Sequence, residues 1–230
     1  MNYYQAYLNP EPKIIGVNNG IYQIEIGKEE ILNNASFKEF RDFFNCNNKA
    51  FWINQNSIFD LKIPVIKAKL LKKAKITDIM GYTQNITFLN NVYSSKFIEV
   101  LKQFNLKDHK TFEIKIDDVD EKYFLLYHRT ILLVDINYKR SVIYTGHKVL
   151  QNVKYHSINT HEEYRKFITS NPIHSFEKIC ISKEYENLDF ISIQAASYNF
   201  YSERLAEELI NNSISGLKVS YTNSIQLEFY

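Results

Sequence analysis

"YSERLAEEL", residues 201–209, repeats the outline of "YSSKFIEVL", residues 93–101. In each, a serine stands where its side-chain oxygen can accept from an amide of a first helical turn, so Ser202 and Ser94 read as N-caps. Leu205 and Leu209 then fall on one helical face, as do Phe97, Leu101 and Phe104. Tyr93, Ser94, Glu99 and Leu101 align with identical residues at 201, 202, 207 and 209, and Lys96 aligns with Arg204. A second pair, "SFKEFRDFF" (36–44) and "THEEYRKFI" (160–168), occurs in the same order, each upstream of its own echo. Both read as capped helices, with Ser36 and Glu39, or Thr160 and Glu163, forming capping boxes. Because capped amphipathic helices resemble one another for physical reasons, the echo admits two readings: a duplicated unit, or two independent helix starts.

The surroundings of these helices read as strands. "KIIGVNNGIYQIEI" (13–26) places two apolar runs around an Asn-Asn-Gly turn, the pattern of a hairpin. "FWINQ" (51–55) and "TFEIKI" (111–116) carry strand composition, and "YFLLYH", "TILLVDI" and "RSVIYT" (123–145) follow at short polar intervals, as in a meander. "KICIS", "LDFISIQ", "SGLKVSY" and "SIQLEFY" complete the set, with Gly216 placed to leave a helix in the left-handed conformation. The expected class is α+β, with antiparallel sheets and a few amphipathic helices. No Pro/Gly/Ser-rich linker divides the chain, so one compact domain over 1–230 is expected, or two pseudo-repeated halves, 1–117 and 118–230.

A chain of 230 residues can bury a sizeable core without staples. Its two cysteines, Cys46 and Cys180, suit neither a disulfide framework nor a zinc site, which fits a reducing cytoplasm. The opening "MNYYQAYLNPEPK" does not read as a signal segment, and no apolar run is long enough to span a bilayer, so neither secretion nor a membrane partner is expected. The net charge of +2, from 28 basic and 26 acidic residues, argues against a chain built chiefly to hold nucleic acid. The exception is the basic stretch Lys67, Lys69, Lys72, Lys73 and Lys75, which offers a nucleic-acid or regulatory contact. These lysines alternate with Ile66, Leu70, Leu71 and Ile76, so their plainer reading is a solvated side of a strand or helix. Seventeen tyrosines and sixteen phenylalanines point instead to half-buried strands and to surfaces for a protein partner.

No catalytic constellation emerges. His109, His128, His147, His156, His161 and His174 include no helical i, i+4 pair, and no phosphate loop, nucleophile elbow or dinucleotide fingerprint is present. Cys180 alternates with Ile179 and Ile181, the setting of a small buried hydrophobe rather than a nucleophile. No enzyme activity, cofactor or metal is therefore expected. Asp117, Asp118, Asp120 and Glu121 cluster in one turn that lacks the order of a calcium loop. They read as a solvated turn whose charge could steer a basic protein, and they are the candidate partner-binding residues.

Residues 188–221, "LDFISIQAASYNFYSERLAEELINNSISGLKVSY", resemble the C-terminal signature of immunity family eleven, a bacterial family of polymorphic toxin systems first described as a domain of unknown function. The matching positions are Asp189, Ser202, Arg204, Leu205, Leu209, Gly216 and Leu217, with Ser215 where the family pattern has Thr. "AKITDIMGYTQNITFLNNVYSSKFIEVL" and "YFLLYHRTILLVDINYKRSVIY", the latter through Asp135 and Ser141, extend the likeness over about residues 74–145. The resemblance implies a non-enzymatic protein that binds and neutralises a cognate toxin stoichiometrically. It implies no toxin-contacting residues, and its Ser, Leu and Gly positions look like fold determinants.

Overall fold

The computed structural model describes residues 1–18, 20, 22–27, 34–45, 47–61, 65–83 and 86–230. The chain divides into two compact units, one built from Tyr7–Arg129 with Glu207–Lys218, the other from Met1–Ala6, Thr130–Ala206 and Val219–Tyr230. The main division thus follows Arg129 rather than residue 117, and each unit gathers residues from distant parts of the chain. The α+β class is observed.

The first strand, β1 (Tyr3–Leu8), begins in the second unit. After a short helix, α1 (Pro12–Ile15), six strands of the first unit form a closed barrel. They are β2 (Tyr22–Ile26), β3 (Ile66–Leu70), β4 (Ile79–Tyr82), β5 (Val92–Ser94), β6 (His109–Ile116) and β7 (Tyr123–His128), in the order β2-β3-β6-β7-β5-β4. Alternation decides what faces inward: on β3, Ile66 and Ala68 are buried while Lys67 and Lys69 are exposed. Helices α2 (Ala35–Phe43) and α3 (Lys49–Ile53) bring Phe37, Phe40 and Phe51 into the same core as Ile24, Ile114 and Leu125. Ring pairs tie helix to strand, with Phe40 and Phe112 at 4.9 Å and edge to face. Each such fully buried ring stabilises the fold by about 2–3 kcal/mol relative to exposure. The echo helix α4 (Ser95–Leu101) follows β5 directly.

Three local expectations change. "KIIGV" belongs to α1 and its exit, not to a strand: Pro12 presets the first turn, and Gly16, at φ +79°, closes it by donating its N–H to Pro12 O. The expected Asn-Asn-Gly turn includes Asn19, which lies outside the described residues, as does Cys46. "FWINQ" is the end of α3 followed by a 3₁₀ turn, Gln55–Asp60, because Phe51 stacks on Phe88 at 4.3 Å and this packing overrides strand composition. The cap of α2 is Asn34, whose side chain accepts from Phe37 N–H, so Ser36 lies inside the helix.

The second unit contains β8 (Thr130–Ile131), β9 (Val142–Thr145), β10 (Lys154–His156), α5 (His161–Ser170), β11 (Ser175–Ile181), β12 (Phe190–Ile193), β13 (Asn199–Ser202) and β15 (Gln226–Phe229). Helix α6 (Glu203–Asn211) and β14 (Leu217–Ser220) run across the division. One sheet has the order β14-β1-β13-β12-β8, the other β10-β9-β11-β15. Their core includes Tyr3, Ile143, Tyr164, Phe176, Ile179, Ile181, Ile191 and Phe200. The expected meander is therefore replaced by three strands in three different sheets: β7, β8 and β9. Only Arg129 separates β7 from β8, too little for a hairpin, and β8 instead pairs parallel with β12. Thr160 caps α5 as expected, by accepting from Glu163 N–H, while Glu163 reaches back to Asn159 N–H rather than to Thr160. Among the described residues, no helix is long and apolar enough to cross a membrane.

Candidate functional site

Two of the signature residues, Ser202 and Arg204, assemble around a third, Asp189, which is wholly buried just before β12. Ser202 ends β13 and caps α6; its Oγ donates to Asp189 Oδ1 at 2.5 Å while accepting from Leu205 N–H at 3.2 Å. Arg204 grips the same carboxylate with both prongs of its fork, Nε to Oδ1 and Nη2 to Oδ2, each at 2.6 Å. Ser202 N–H donates to Asp189 O, and the Tyr3 hydroxyl donates to Leu188 O. Burial, reinforced by the charges of Asp189 and Glu186, pushes the Tyr3 hydroxyl well above its ordinary pKa, so it stays a donor. Leu205 and Leu209 are fully buried.

A matching station exists in the barrel unit. Ser94 Oγ donates to Asp78 Oδ1 at 2.8 Å and accepts from Phe97 N–H at 3.2 Å, and Ser94 N–H donates to Asp78 O. The Tyr123 hydroxyl donates to Thr77 O, as Tyr3 does to Leu188 O. The stations differ at the carboxylate's remaining oxygen. Asp78 Oδ2 accepts from the Ser215 amide and hydroxyl, at 2.7 and 2.6 Å, where Asp189 is held by Arg204. These hydrogen bonds, with the positive Lys96 nearby, outweigh the opposing effect of burial and hold the Asp78 carboxyl below its usual pKa. Next to Ser215, Gly216 has φ +81°, and a Cβ there would lie 2.4 Å from Ile79 O. Leu217 opens β14 half-buried. The hydrogen bonds of these stations run between the named side chains and neighbouring backbone, and they tie each helix start to a strand.

The remaining expected positions are not gathered into a site. Asp117, Asp118, Asp120 and Glu121 lie exposed in the β6–β7 turn, with Asp118 at φ +59° and Glu121 Oε2 3.4 Å from the Tyr123 hydroxyl. Lys67 and Lys69 project outward from β3, Lys69 beside Glu25, and Lys72, Lys73 and Lys75 are exposed in the following turn. Ser141 Oγ accepts from Cys180 N–H, whereas Asp135 Oδ2 accepts from Leu132 N–H, so these two do not meet. Cys180 is a buried free thiol, and burial raises its pKa. His128 is buried, its ring nitrogen Nδ1 donating to Arg129 O, and burial lowers its pKa to about 3. His156 and His174 bond to Thr145 and Tyr164. Among the described residues, no group of three or more His, Cys, Asp and Glu could hold a metal ion.

A surface missed by motif reasoning lies at one end of the β10-β9-β11 sheet. Ser175 pairs with Tyr144, so the start of β11 and the β9–β10 loop share that end. There Val149, Leu150 and Ile173 are 81%, 70% and 86% exposed, and Tyr155 is more than half exposed. The loop is tied by local hydrogen bonds: Gly146 and Gln151 have positive φ, His147 N–H donates to Asn152 Oδ1 at 2.7 Å, and Val149 N–H donates to His147 Nδ1 at 3.2 Å. Beside it, Glu177 accepts from both Lys148 Nζ and the Tyr155 hydroxyl, at 2.8 and 3.0 Å. Those bonds hold the Glu177 carboxyl below its usual pKa, and Lys148 also stands 5.3 Å from the Tyr144 ring centroid. A groove of about 270 Å³ adjoins, lined by Gln5, Tyr144, His174, Ser175, Tyr198 and Asn223 among others. The available signal was "KVL" (148–150) inside a turn, apolar residues where a turn has no use for them. In comparisons with known proteins, no family model and no curated protein matches the chain.

Proposed function

We propose that this protein is an immunity protein that neutralises a cognate bacterial toxin by stoichiometric binding, with the exposed end of the β10-β9-β11 sheet as its principal contact. The observation that carries the reading is the hydrogen-bonded loop bearing Val149 and Leu150, with Ile173 and Tyr155 at the same sheet end. Apolar anchors on a loop tied by its own hydrogen bonds lose less conformational entropy on binding, and tyrosines beside them add large contact area with a polar tip. The sequence resemblance at residues 188–221 supplies the partner class, and the protein acts by occupying the toxin rather than by turnover. The acidic turn 117–121 serves as a steering element for a basic partner.

The test is to read the genes that flank this one and to co-express this protein with the toxin-like C-terminal domain of any large secreted protein they encode; flanking genes with no such protein would count against the reading. Growth should be rescued, and calorimetry should give a one-to-one complex. Val149→Asp with Leu150→Asp should abolish rescue while leaving the unfolding midpoint unchanged. Failure of the parent protein to rescue or bind would refute the immunity reading; undiminished binding by the double variant would refute the contact surface alone.

A further inference from the structure

The two stations belong to a larger correspondence. In the barrel unit, Ile79 pairs with Tyr93 and Met80 with Val92, and in the second unit Phe190 pairs with Tyr201 and Ile191 with Phe200. Counted from Ser94 and Ser202, these are the same positions. One strand further out, Ser94, Tyr93 and Val92 pair with Tyr123, Phe124 and Leu125, while Ser202, Tyr201 and Phe200 pair with Tyr3, Tyr4 and Gln5. On the other side, β2 runs parallel to β4 and β8 runs parallel to β12, with Thr83 N–H donating to Ile24 O and Gln194 N–H to Ile131 O, both at 2.9 Å. The first residue of each echo helix makes the matching bond, Ser95 N–H to Lys122 O and Glu203 N–H to Asn2 O, again both at 2.9 Å. The order β14-β1-β13-β12-β8 therefore repeats β6-β7-β5-β4-β2, strand for strand.

Chain order breaks the match at one place. The first copy runs β2, β4, β5, α4, β6, β7; the second runs β8, β12, β13, α6, β14, and its last strand is β1, from the opposite end of the sequence. The burial pattern of β1 agrees with that of β7 at five of six positions. We infer that the chain is a duplication whose second copy is closed by the first strand of the chain, so that β1 is a detachable strap, held by register and side chains rather than by its covalent link to α1. The side chains that hold it lie in the same unit: Gln5 exchanges hydrogen bonds with Ser224 and Ile225, Tyr4 packs on Tyr221, and Tyr3 packs on Phe229 at 5.4 Å between ring centroids.

That last distance makes the strap testable by circular permutation of the full chain. A Gly/Ser linker of about eight residues, at up to ~3.4 Å each, joins Tyr230 to Met1 with slack. New ends between Pro10 and Glu11 then cut β1 from α1. A control permutant carries the same linker but opens between Asp118 and Val119, leaving that link intact. The strap permutant should keep the parent's circular dichroism, a urea midpoint within about 0.5 M of the parent's, and hydrogen-exchange protection of the amides of residues 3–6. Folding of the control alone, or a folded strap permutant whose residues 3–6 exchange without protection, would overturn the inference. If neither permutant folds, the intact chain decides: at urea concentrations below its midpoint it should take up a labelled peptide of residues 1–10 and reject the same peptide carrying Ala6→Pro, and no uptake overturns the strap.

Discussion

Replacing Ser202 with alanine tests whether the signature serine builds the fold or contacts a partner. Its hydroxyl is wholly buried and has two roles at once, capping Leu205 N–H and donating to Asp189. Loss of the cap costs about 1 kcal/mol. Loss of a hydrogen bond to a buried carboxylate adds about 1–3 kcal/mol, held to the low end here because Arg204 keeps both of its bonds to the same group. The sum is about 2–3 kcal/mol for Ser202→Ala. The equivalent Ser94→Ala should cost less, about 1–2 kcal/mol, since Asp78 is only partly buried and retains both Ser215 donors. Urea unfolding followed by circular dichroism, with m-values unchanged, measures both. A Ser202→Ala cost below about 0.5 kcal/mol, or a larger loss for Ser94→Ala, would refute this account of the station. Partner affinity measured on the folded variant should be unaltered; a sharp fall at constant stability would move Ser202 from scaffold to interface.

His128 makes stability depend on pH with a defined sign. Unfolded, it takes up a proton near its ordinary value of 6.5, whereas burial keeps it neutral in the folded state down to about 3. The unfolded state thus binds more protons in that window, and stability is complete above about 6.5 and falls as the solution is acidified. At pH 5 the parent should have lost about 2 kcal/mol relative to pH 7.5 that His128→Gln does not lose, and equal slopes for the two proteins would contradict it. Gly216→Ala combines left-handed strain with a Cβ against Ile79 O and should destabilise by more than about 2 kcal/mol, whereas Gly20→Ala, with nothing within 4 Å, should show the torsional cost alone. Equal urea midpoints for the two would remove the close-approach argument. Neutralising Asp117, Asp118, Asp120 and Glu121 together should slow association with a basic toxin severalfold at low salt and leave dissociation unchanged; stopped-flow rates that ignore both the substitutions and the salt would exclude steering.

The difference between what the sequence disclosed and what it withheld follows from the range of the interactions involved. Ser94, Ser202 and Thr160 were readable as caps because a cap is decided within three residues, and each accepts the predicted amide. Gly216 was half legible: its φ is +81° as expected, but it lies in the turn before β14, and the left-handed helix exit beyond Asn211 is taken by Ser213 at φ +53°. "FWINQ" misled because the choice between strand and helix there rests on Phe51 finding Phe88. The meander misled because the gap between "YFLLYH" and "TILLVDI" is a single residue, which fits a change of sheet better than a turn. The duplicated unit was half legible: the helix echo could be seen by aligning residues 93–101 with 201–209, but nothing near residue 202 in sequence announces that its strand partner is Tyr3. A linear search for two halves looks for matching segments in matching order, and the second copy violates that order by one strand. Once β1 is moved after β14, "KYFLLY" (122–127) and "NYYQAY" (2–7) align at three tyrosine-or-phenylalanine positions, 123 with 3, 124 with 4 and 127 with 7. These aromatic positions are thus the same strand twice, and the tyrosines at 3 and 123 recur because each hands a hydroxyl to the residue before the aspartate that binds the capping serine.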